Sequence, residues 1–347
     1  MGHKNKSIRH ILVIRLSAMG DVAMTVPVLR TLCSQYPGLK ITMLSKPLFK
    51  PLFDDIENLN FYDVDTKGRH RGISGLKKLC GELKKTGIEA VADLHNVLRS
   101  NILKVFFIMS GIPFIQIDKG RAEKKTLTSG KQFSQLKTTH QRYADVFERM
   151  GFPVDLSKHS FPQQKKLKDN IIQIIGPEAK KWIGIAPFAA FSGKMYPIDL
   201  MEKVLDRLNG TDTCKLILLG GGDEEKEILE ELADKYKNAI NLVGKLSFED
   251  ELALISNLDL MLSMDSGNAH LAAVYGIKTV TLWGISHPYA GFYPFGQDMD
   301  NALLSDKEKY PLIPTSVYGN KLPRGYENVM RTIPPEKVVE KVISLIK

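Results

Sequence analysis

The alternation of strand-length apolar runs with helix-length amphipathic segments constrains this chain most, and it occurs in two series. Such alternation is typical of parallel βαβ units, so the sequence predicts an α/β protein with two Rossmann-like, doubly wound domains. A length of 347 residues agrees with two domains of ordinary size. The predicted strands are 10–16, 40–44, 60–64, 88–93 and 112–117 in the first series and 182–186, 214–219, 239–243, 259–263 and 277–282 in the second.

The domain boundary is predicted between the two series. Residues 151–180 are polar and contain glycine and proline, which is typical of a linker or boundary. In PEKVVEKVISLI, 335–346, apolar residues recur at helical spacing, so this helix is expected to pack back on a domain surface. We therefore predict a first domain over 1–165, a second over 166–330 and a C-terminal helix within 331–347.

Charge is distributed unevenly along the chain. Residues 1–165 contain 27 Lys and Arg against 14 Asp and Glu, and the remainder contains 21 against 25, which gives +13 and −4. A basic first half is suited to a polyanion or an anionic membrane surface, although ordinary solubilising charge explains it equally well. The basic, glycine-containing segments 65–78 and 119–137 are predicted as long loops that bind an anionic substrate, with mobile solvated loops as the alternative.

Other broad features exclude some classes of protein. No apolar run approaches the ~18 to 20 residues of a membrane span, and the N-terminus lacks the apolar core of a signal peptide. Cys33, Cys80 and Cys214 are scattered along the chain, so the sequence predicts neither a disulfide nor a cysteine metal site. This cysteine content agrees with a reducing cytoplasm. The basic segments lack interleaved aromatic residues, which disfavours nucleic-acid binding.

The segment ILVIRLSAMGDVAMTVPVLRTL, residues 11–32, predicts a strand, a Gly20–Asp21 turn and a helix. Strand, glycine turn and helix start usually bind anions, because free amides and the positive end of the helix dipole point outward there. Asp21 instead places a negative charge at this position, which marks Gly20 and Asp21 as candidate site residues.

A second candidate site follows the strand in DLMLSMDSGNAHLAAVYG, residues 259–276. Ser266, Gly267 and Asn268 are predicted where helix amides would meet a phosphate, and Gly267 permits close approach of the backbone. Asp265 could instead cap the helix, and His270 could be a hydrogen-bonded core histidine.

Two further strand ends in the second half carry polar residues. IGIAPFAAFSGKMYP, 183–197, presents Ser192, Gly193 and Lys194, and a lysine is suited to stabilising a leaving phosphate. KLILLGGGDEEKEILEEL, 215–232, has three glycines but fits neither GxGxxG nor the Walker pattern, which also disfavours a dehydrogenase. Its acids would repel phosphate, so an early carboxylate here is better suited to accepting hydrogen bonds from ribose.

Together these segments resemble glycosyltransferase family 9, the ADP-heptose:lipopolysaccharide heptosyltransferases, over essentially the whole chain. The resemblance is carried by SAMGDV, 17–22, with Pro27 behind it, and by MDSGNAHLAA, 264–273, followed by GIKTVTLWG, 276–284. It implies a GT-B-type fold, in which two Rossmann-like domains face each other across a cleft.

The resemblance also implies roles for individual residues. Asp21 matches the general base that acts on the acceptor hydroxyl, Lys194 matches the lysine that stabilises the departing phosphates, and Glu224 matches the ribose-binding acid. Asp265, Ser266, Gly267 and His270 match the diphosphate-binding motif. DLHNVLRS, 93–100, matches a cleft-lining loop, which makes Asn96 and Arg99 candidates for sugar or acceptor contact.

The implied reaction is a single inverting displacement that moves a heptose from ADP-heptose to a phosphorylated inner-core lipopolysaccharide. We expect a monomer at the cytoplasmic face of the inner membrane, with no cofactor, no metal and no nucleic-acid partner. Asp63-Val64-Asp65 has the metal-binding Asp-x-Asp form, but we interpret it as a strand end.

The chain departs from the family pattern at several positions. Ala189 and Ala190 stand where hydroxyl residues are common, with Ser192 as a possible substitute. Tyr196 replaces the tryptophan of Lys-x-Trp-Pro, and WGISHP, 283–288, replaces a common Trp/Tyr-Gly-Pro-Thr. The alternatives are therefore the same fold acting on another nucleotide sugar, as a transferase or an epimerase, and a non-catalytic nucleotide-sugar binding protein.

Overall fold

The computed structural model describes residues 8–176 and 180–346. Residues 1–7, 177–179 and 347, which belong to the predicted first domain, boundary segment and C-terminal helix, lie outside the described residues. The chain divides into two compact units. Unit 1 contains the residues up to Lys119 together with Thr139–Ser160, and unit 2 contains Gly120–Thr138 together with the residues from Phe161 onward.

Unit 1 is built on a five-stranded parallel sheet in the order β3-β2-β1-β4-β5. Its strands are β1 (His10–Ile14), β2 (Lys40–Ser45), β3 (Leu59–Asp63), β4 (Ala90–Asp93) and β5 (Phe114–Gln116). Every residue of β1 and β4 is buried, which requires cover on both faces of the sheet and explains why these strands are continuous apolar runs.

Unit 2 is built on a six-stranded parallel sheet in the order β11-β10-β9-β6-β7-β8. Its strands are β6 (Lys181–Ala186), β7 (Cys214–Leu218), β8 (Ala239–Asn241), β9 (Leu260–Met264), β10 (Lys278–Trp283) and β11 (Ala302–Leu304). The ten strands predicted from the sequence are all present, and β11 is an additional edge strand of three residues.

The α-helices connect the strands in the manner of βαβ units. They are α1 (Met19–Ala23), α2 (Thr25–Gln35), α3 (Gly72–Lys84), α4 (Leu98–Met109), α5 (Arg121–Thr128), α6 (Thr139–Glu148), α7 (Asp169–Ile175), α8 (Ile198–Gly210), α9 (Asp223–Lys235), α10 (Phe248–Ile255), α11 (Gly267–Val274) and α12 (Pro335–Ile346). Short 3₁₀ helices lie at Pro47–Leu52, Leu156–Lys158, Ser192–Lys194, Pro288–Ala290, Met299–Asn301 and Val329–Thr332. Among the described residues, no helix has both the length and the apolar character needed to cross a bilayer.

The C-terminal helix packs back on the second unit, as predicted. Helix α12 lies against α8 and buries Val338, Val339 and Val342 in the core that also contains strands β6, β7 and β9. Tyr196 belongs to the same core, and its hydroxyl donates to the backbone carbonyl of Ile333 at 2.7 Å.

In each sheet the chain first adds strands toward one edge and then returns to add strands toward the other edge. Each candidate site lies at the point between the two directions, which is called the winding reversal. In unit 1 the reversal lies between β1 and β4, which precede Asp21 and the 94–97 turn; in unit 2 it lies between β6 and β9, which precede Lys194 and Asp265. The crevice at the carboxyl ends of the strands beside such a reversal is where open α/β sheets bind ligands. Each unit therefore presents its candidate residues where its topology favours binding.

The two basic segments predicted as long loops are loops only in part: residues 65–71 and 129–137 form turns and loops, whereas 72–78 and 121–128 are helical. Their binding of an anionic substrate stays a prediction. In the first, the Asp65 carboxylate accepts hydrogen bonds from the amides of Lys67, Gly68 and Arg69, and α3 begins at Gly72. His70 is fully buried, and its Nε2 lies 3.0 Å from Glu82. The second segment contains α5 and belongs to unit 2.

The division into units also differs from the predicted boundary after residue 165. It falls after Ser160, and Gly120–Thr138 is separated from the first half of the chain. Within that segment the Phe133 ring lies 4.8 Å from the His287 ring and 5.2 Å from the Tyr289 ring. The Leu136 amide donates to the Tyr289 carbonyl at 2.9 Å. Aromatic contacts and a backbone hydrogen bond thus attach this segment to the loop that follows β10.

Candidate active site

Asp21 lies in the short helix α1, immediately beyond the carboxyl end of β1. Its carboxylate accepts a hydrogen bond from the Ala18 amide at 3.3 Å and forms an ion pair with the Arg15 guanidinium. The Asp21 side chain is 27% exposed, whereas that of Arg15 is only 8% exposed. The carboxylate is therefore oriented by a buried cation on one side and remains accessible to a ligand.

The turn after β4 holds Arg15 and a histidine beside Asp21. Arg15 donates from its other guanidinium nitrogen to the Leu94 carbonyl at 2.8 Å. The Leu16 amide donates to Nδ1 of His95 at 3.4 Å. Burial, together with the positive charge of Arg15, lowers the pKa of His95 to about 3. The ring is thus neutral at physiological pH, and its Nε2–H is available as a donor.

Asn96 and Arg99, the candidate acceptor residues, follow directly in the same turn. The Asp93 carboxylate accepts hydrogen bonds from the amides of His95 and Asn96 at 2.9 and 3.0 Å. Asn96 has a left-handed backbone with φ of 47°, which asparagine tolerates well, and its side-chain nitrogen donates to the Ile117 carbonyl at 3.1 Å. Asn96 thus shapes the turn, while the exposed Arg99 opens the first turn of α4.

In unit 2, the first backbone amides of helix α11 receive no hydrogen bond from the side chain of the N-cap residue. Ser266 is its N-cap residue, but the Ser266 hydroxyl lies 3.0 Å from the Ser263 hydroxyl, and no described side chain caps the first turn. Gly267 and Asn268 are half-buried, and His270 is 8% exposed. A helix end with uncapped amides and no acidic residue in its first turn favours an anion.

Asp265 does not cap α11; it pairs with Lys194. The Lys194 Nζ lies 2.8 Å from Asp265 Oδ2, and each side chain is only 12% exposed. Ser286 donates to the same carboxylate oxygen at 2.7 Å. Three strand ends, those of β6, β9 and β10, thus bring a cation, a carboxylate and a hydroxyl together beside the start of α11.

Close backbone contact between two loops fixes Lys194 in this position. The Ile285 amide donates to the Gly193 carbonyl at 3.1 Å. A Cβ at Gly284 would lie 2.1 Å from that carbonyl oxygen, and a Cβ at Gly193 would lie 2.4 Å from Cδ1 of Ile285. A side chain at Gly284 would collide with the backbone itself, so glycine at this position is what allows the β6 and β10 loops to meet, whereas a Cβ at Gly193 would require the Ile285 side chain to move.

Ser192 and Glu224 are exposed residues at the starts of helices in unit 2. Ser192 begins the 3₁₀ helix that carries Lys194. Glu224 lies in the first turn of α9, directly after the glycine loop. The next residue, Glu225, accepts a hydrogen bond from the Gly221 amide at 2.7 Å, so Glu225 shapes the loop while Glu224 points its charge outward from an exposed position.

The predicted residues therefore form two groups, one in each unit. Asp21 and Gly20 lie in α1 of unit 1, and Asn96 and Arg99 lie in and just after the turn that follows β4. In unit 2, Lys194 and Asp265 are in direct contact, and Ser266, Gly267, Asn268 and His270 belong to the adjoining helix start. Sequence reasoning missed Arg15, His95 and Ser286. Their signal was available, because each lies within four residues of the carboxyl end of a strand at or beside a winding reversal.

Comparison with known proteins identifies the family of this chain. The family model described as glycosyltransferase family 9 (heptosyltransferase) matches residues 76–313, which is more than half of the chain. A curated relative, the lipopolysaccharide core heptosyltransferase OpsX of Haemophilus influenzae, is 24% identical over 296 residues, covering 81% of this chain and 80% of the relative.

Solved structures show the same fold. The family 9 glycosyltransferase of Veillonella parvula superposes with a TM-score of 0.76 at 20% identity and covers 97% of both chains. The E. coli heptosyltransferase WaaC with ADP superposes with a TM-score of 0.66 at 16% identity, covering 97% of this chain and 99% of that one. These likenesses confirm the predicted fold class, a two-domain α/β fold of GT-B type. The chain therefore belongs to glycosyltransferase family 9, the heptosyltransferase family, and is a glycosyltransferase.

Proposed function

We propose that this enzyme transfers a heptose from ADP-heptose to a phosphorylated inner-core lipopolysaccharide acceptor, with inversion at the anomeric carbon. The observation that carries the proposal is in unit 2, where Lys194, only 12% exposed, pairs with Asp265 directly before the uncapped start of α11. A nucleotide diphosphate needs a fixed cation and free amides, and both are present there. The family and the relatives named above supply the choice of heptose.

The donor is bound by unit 2. Its diphosphate lies against the amides of Ser266, Gly267 and Asn268, with His270 below them, and Ser192 adds a hydroxyl. Lys194 neutralises the charge that develops on the departing ADP, as a preorganised cation at a leaving group should. Glu224 accepts hydrogen bonds from the ribose hydroxyls.

The acceptor is activated by unit 1. Asp21 takes the proton from the acceptor hydroxyl as that oxygen attacks C1 of the heptose and the bond to the diphosphate breaks. The Arg15 guanidinium fixes the carboxylate, and the Ala18 amide orients it further. Gly20, Asn96 and Arg99 contact the acceptor, and Arg99 is suited to its phosphate groups.

In this proposal the reaction needs neither a cofactor nor a metal ion, because side chains and helix amides supply the positive charge. The enzyme acts as a monomer on the cytoplasmic surface of the inner membrane, where the acceptor glycolipid is found. The excess of basic residues in 1–165 supports an anionic partner on that side.

A second candidate is the same reaction with another nucleotide sugar, which Ala189 and Ala190 favour. Ala190 is exposed and Ala189 is half-buried in the loop after β6, so neither supplies a hydroxyl to a phosphate. Comparing ADP, UDP and GDP by thermal shift separates the donors, because the ligand that binds the native state raises its melting temperature.

The decisive experiment incubates the enzyme with ADP-heptose and core oligosaccharides that end before and after each heptose. Mass spectrometry should show the gain of one heptose on a single acceptor, and NMR should show inversion at C1. A gain of hexose from another nucleotide sugar, with none from ADP-heptose, would replace the leading proposal by the second one.

A further inference from the structure

Helix α4 in unit 1 presents an apolar ridge to solvent. Its core-facing residues, Ser100, Leu103 and Phe107, are buried. On the opposite side of the helix, apolar residues recur at spacings of four, three and four, namely Leu98, Ile102, Val105 and Met109. Of these, Ile102 is half-buried and also packs on the core. Leu98 is 78% exposed, Val105 55% and Met109 80%. Apolar side chains that are grouped along one ridge mark an interaction surface, whereas single scattered ones do not.

The neighbouring helix α3 widens this surface and adds positive charge. Ile73 is 67% exposed, and it lines a groove of about 380 Å³ together with Leu98 and Ile102 of α4. Lys84 extends toward the far end of α4, where its Nζ donates to the Ser110 hydroxyl at 3.0 Å. Lys77 lies between Ile73 and Lys84 on the same side of α3, one turn from Ile73.

The surface is almost free of acidic residues. Helix α4 contains none, and Glu82, the one acid of α3, is bound to Tyr62 and His70 on the other side of that helix. The exposed Arg99 adds a further cation at the start of α4. An apolar ridge bordered by Lys77, Lys84 and Arg99 has the composition of a helix that lies in the interface of an anionic bilayer.

We propose that the α3–α4 surface, defined by Ile73, Lys77, Lys84 and the ridge of α4, is the face with which this enzyme docks on an anionic lipid bilayer. The choice of a bilayer as the occupant rests on the proposed function, whose acceptor is a membrane glycolipid. Helix α4 inserts its ridge among the acyl chains, and the lysines contact lipid phosphates.

Docking in this way orients unit 1 productively. Helix α4 starts at the carboxyl edge of the sheet, directly after the turn that holds His95 and Asn96, and β4 lies next to β1, which leads to Asp21. The groove between Ile73 and Leu98 is therefore at the same edge of the sheet as the candidate acceptor residues.

The test is sedimentation with vesicles of phosphatidylethanolamine and phosphatidylglycerol that contain no acceptor. The V105D/M109D and K77E/K84E variants should each lower the partition coefficient about tenfold or more. The matched controls in unit 2 are Leu312→Asp, at a site that is 59% exposed, and K237E/K321E, at two exposed lysines; both should leave binding unchanged.

Each alternative has its own outcome. Transfer to a lipid-free core oligosaccharide should be unaffected in V105D/M109D, which shows that the variant is folded and active. Unchanged vesicle binding in both α3–α4 variants would overturn the proposal. So would a change from dimer to monomer in V105D/M109D without vesicles, because it would assign the surface to a second copy of the chain. Vesicle binding that depends on this surface in a protein that transfers no heptose would leave the docking face standing while the proposed function fails.

Discussion

The ε-ammonium of Lys194 lies 2.8 Å from the Asp265 carboxylate, and both side chains are almost completely removed from solvent. Ser286 donates to the same carboxylate oxygen. A diphosphate that binds Lys194 must therefore compete with an anion that is already in place. In the proposed mechanism, the donor diphosphate therefore takes the place of Asp265 as the partner of Lys194.

This competition predicts that replacing Lys194 and replacing Asp265 have different effects on the affinity for ADP. Lys194→Met should weaken ADP binding about tenfold or more, because it removes the fixed cation. Asp265→Asn should leave ADP affinity unchanged or raise it, because it releases the lysine from its ion pair. Isothermal titration calorimetry measures both, with Lys194→Arg as a control that keeps the charge. Equal weakening in the Lys194→Met and Asp265→Asn variants would show that the pair acts as one structural unit.

Replacing Asp21 should separate chemistry from donor binding. Asp21→Asn keeps the shape of the side chain but removes the base, so the rate of transfer should fall about 10²- to 10⁴-fold. The dissociation constant of ADP should not change, because the proposed donor residues all belong to unit 2. Transfer at the wild-type rate would rule out Asp21 as the general base.

The close contact between the β6 and β10 loops predicts that one methyl group added at Gly284 destabilises the fold. Gly284→Ala should lower the free energy of unfolding by about 1–3 kcal/mol, since the new Cβ would overlap the Gly193 carbonyl. Gly210→Ala is the matched control, because a Cβ at that position would have nothing within 4 Å of it. Urea unfolding of the two variants should give clearly different midpoints, and equal midpoints would mean that the loops can separate without cost.

The buried, neutral His95 predicts a pH dependence of stability. Its pKa is about 3 in the folded chain and close to the ordinary value of about 6.5 when unfolded. The unfolded state therefore binds more protons below about pH 6.5, and stability falls as the pH decreases. Between about pH 6.5 and pH 5 this residue costs up to about 2 kcal/mol.

His95→Gln should reduce the dependence of the free energy of unfolding on pH, whatever its effect on stability at neutral pH. The measurement is the free energy of unfolding in urea at several pH values for both proteins. His159 and His287, whose pKa values burial lowers to about 4, retain their own contributions in the variant. Parallel curves for the two proteins would contradict the neutral, buried state of the His95 ring.

Metal independence is tested by chelation. Transfer should continue at an undiminished rate in excess EDTA, because in the proposed mechanism Lys194 and the α11 amides provide the positive charge at the diphosphate. Readdition of Mg²⁺ or Mn²⁺ serves as the control. Complete loss of transfer in EDTA, restored by one of these ions, would require a metal in the mechanism.

The sequence predicted the regular part of the fold well, for a physical reason. Strands buried on both faces must be continuous apolar runs, so β1 and β9 stand out against their polar surroundings. Strand β11 was missed because it has three residues at the edge of its sheet, too few to show a pattern. Helix α5 was missed because it has eight residues, of which only Lys124 and Leu127 are buried, too few to show an apolar repeat.

At the candidate site, the sequence predicted single residues but not the contacts between them. Asp265 and Lys194 were predicted as separate strand-end residues, but their ion pair depends on the register of β6 against β9, which no local pattern specifies. Arg15 was missed because the predicted strand extended to residue 16 and included it, whereas β1 ends at Ile14 and Arg15 is the first residue beyond its carboxyl end. Its partner Asp21 is six residues away along the chain, and only the fold of α1 brings the two together.

The assignment of Gly120–Thr138 to the second unit means that the backbone passes between the units three times rather than once. Chimaeras of related transferases are usually joined at a single crossover. A crossover near residue 161 would take Phe133 from one parent and its ring partners His287 and Tyr289 from the other. Exchange of one unit between relatives therefore has to transfer Gly120–Thr138 together with unit 2, on which it packs, although in the sequence this segment lies between the two parts of unit 1.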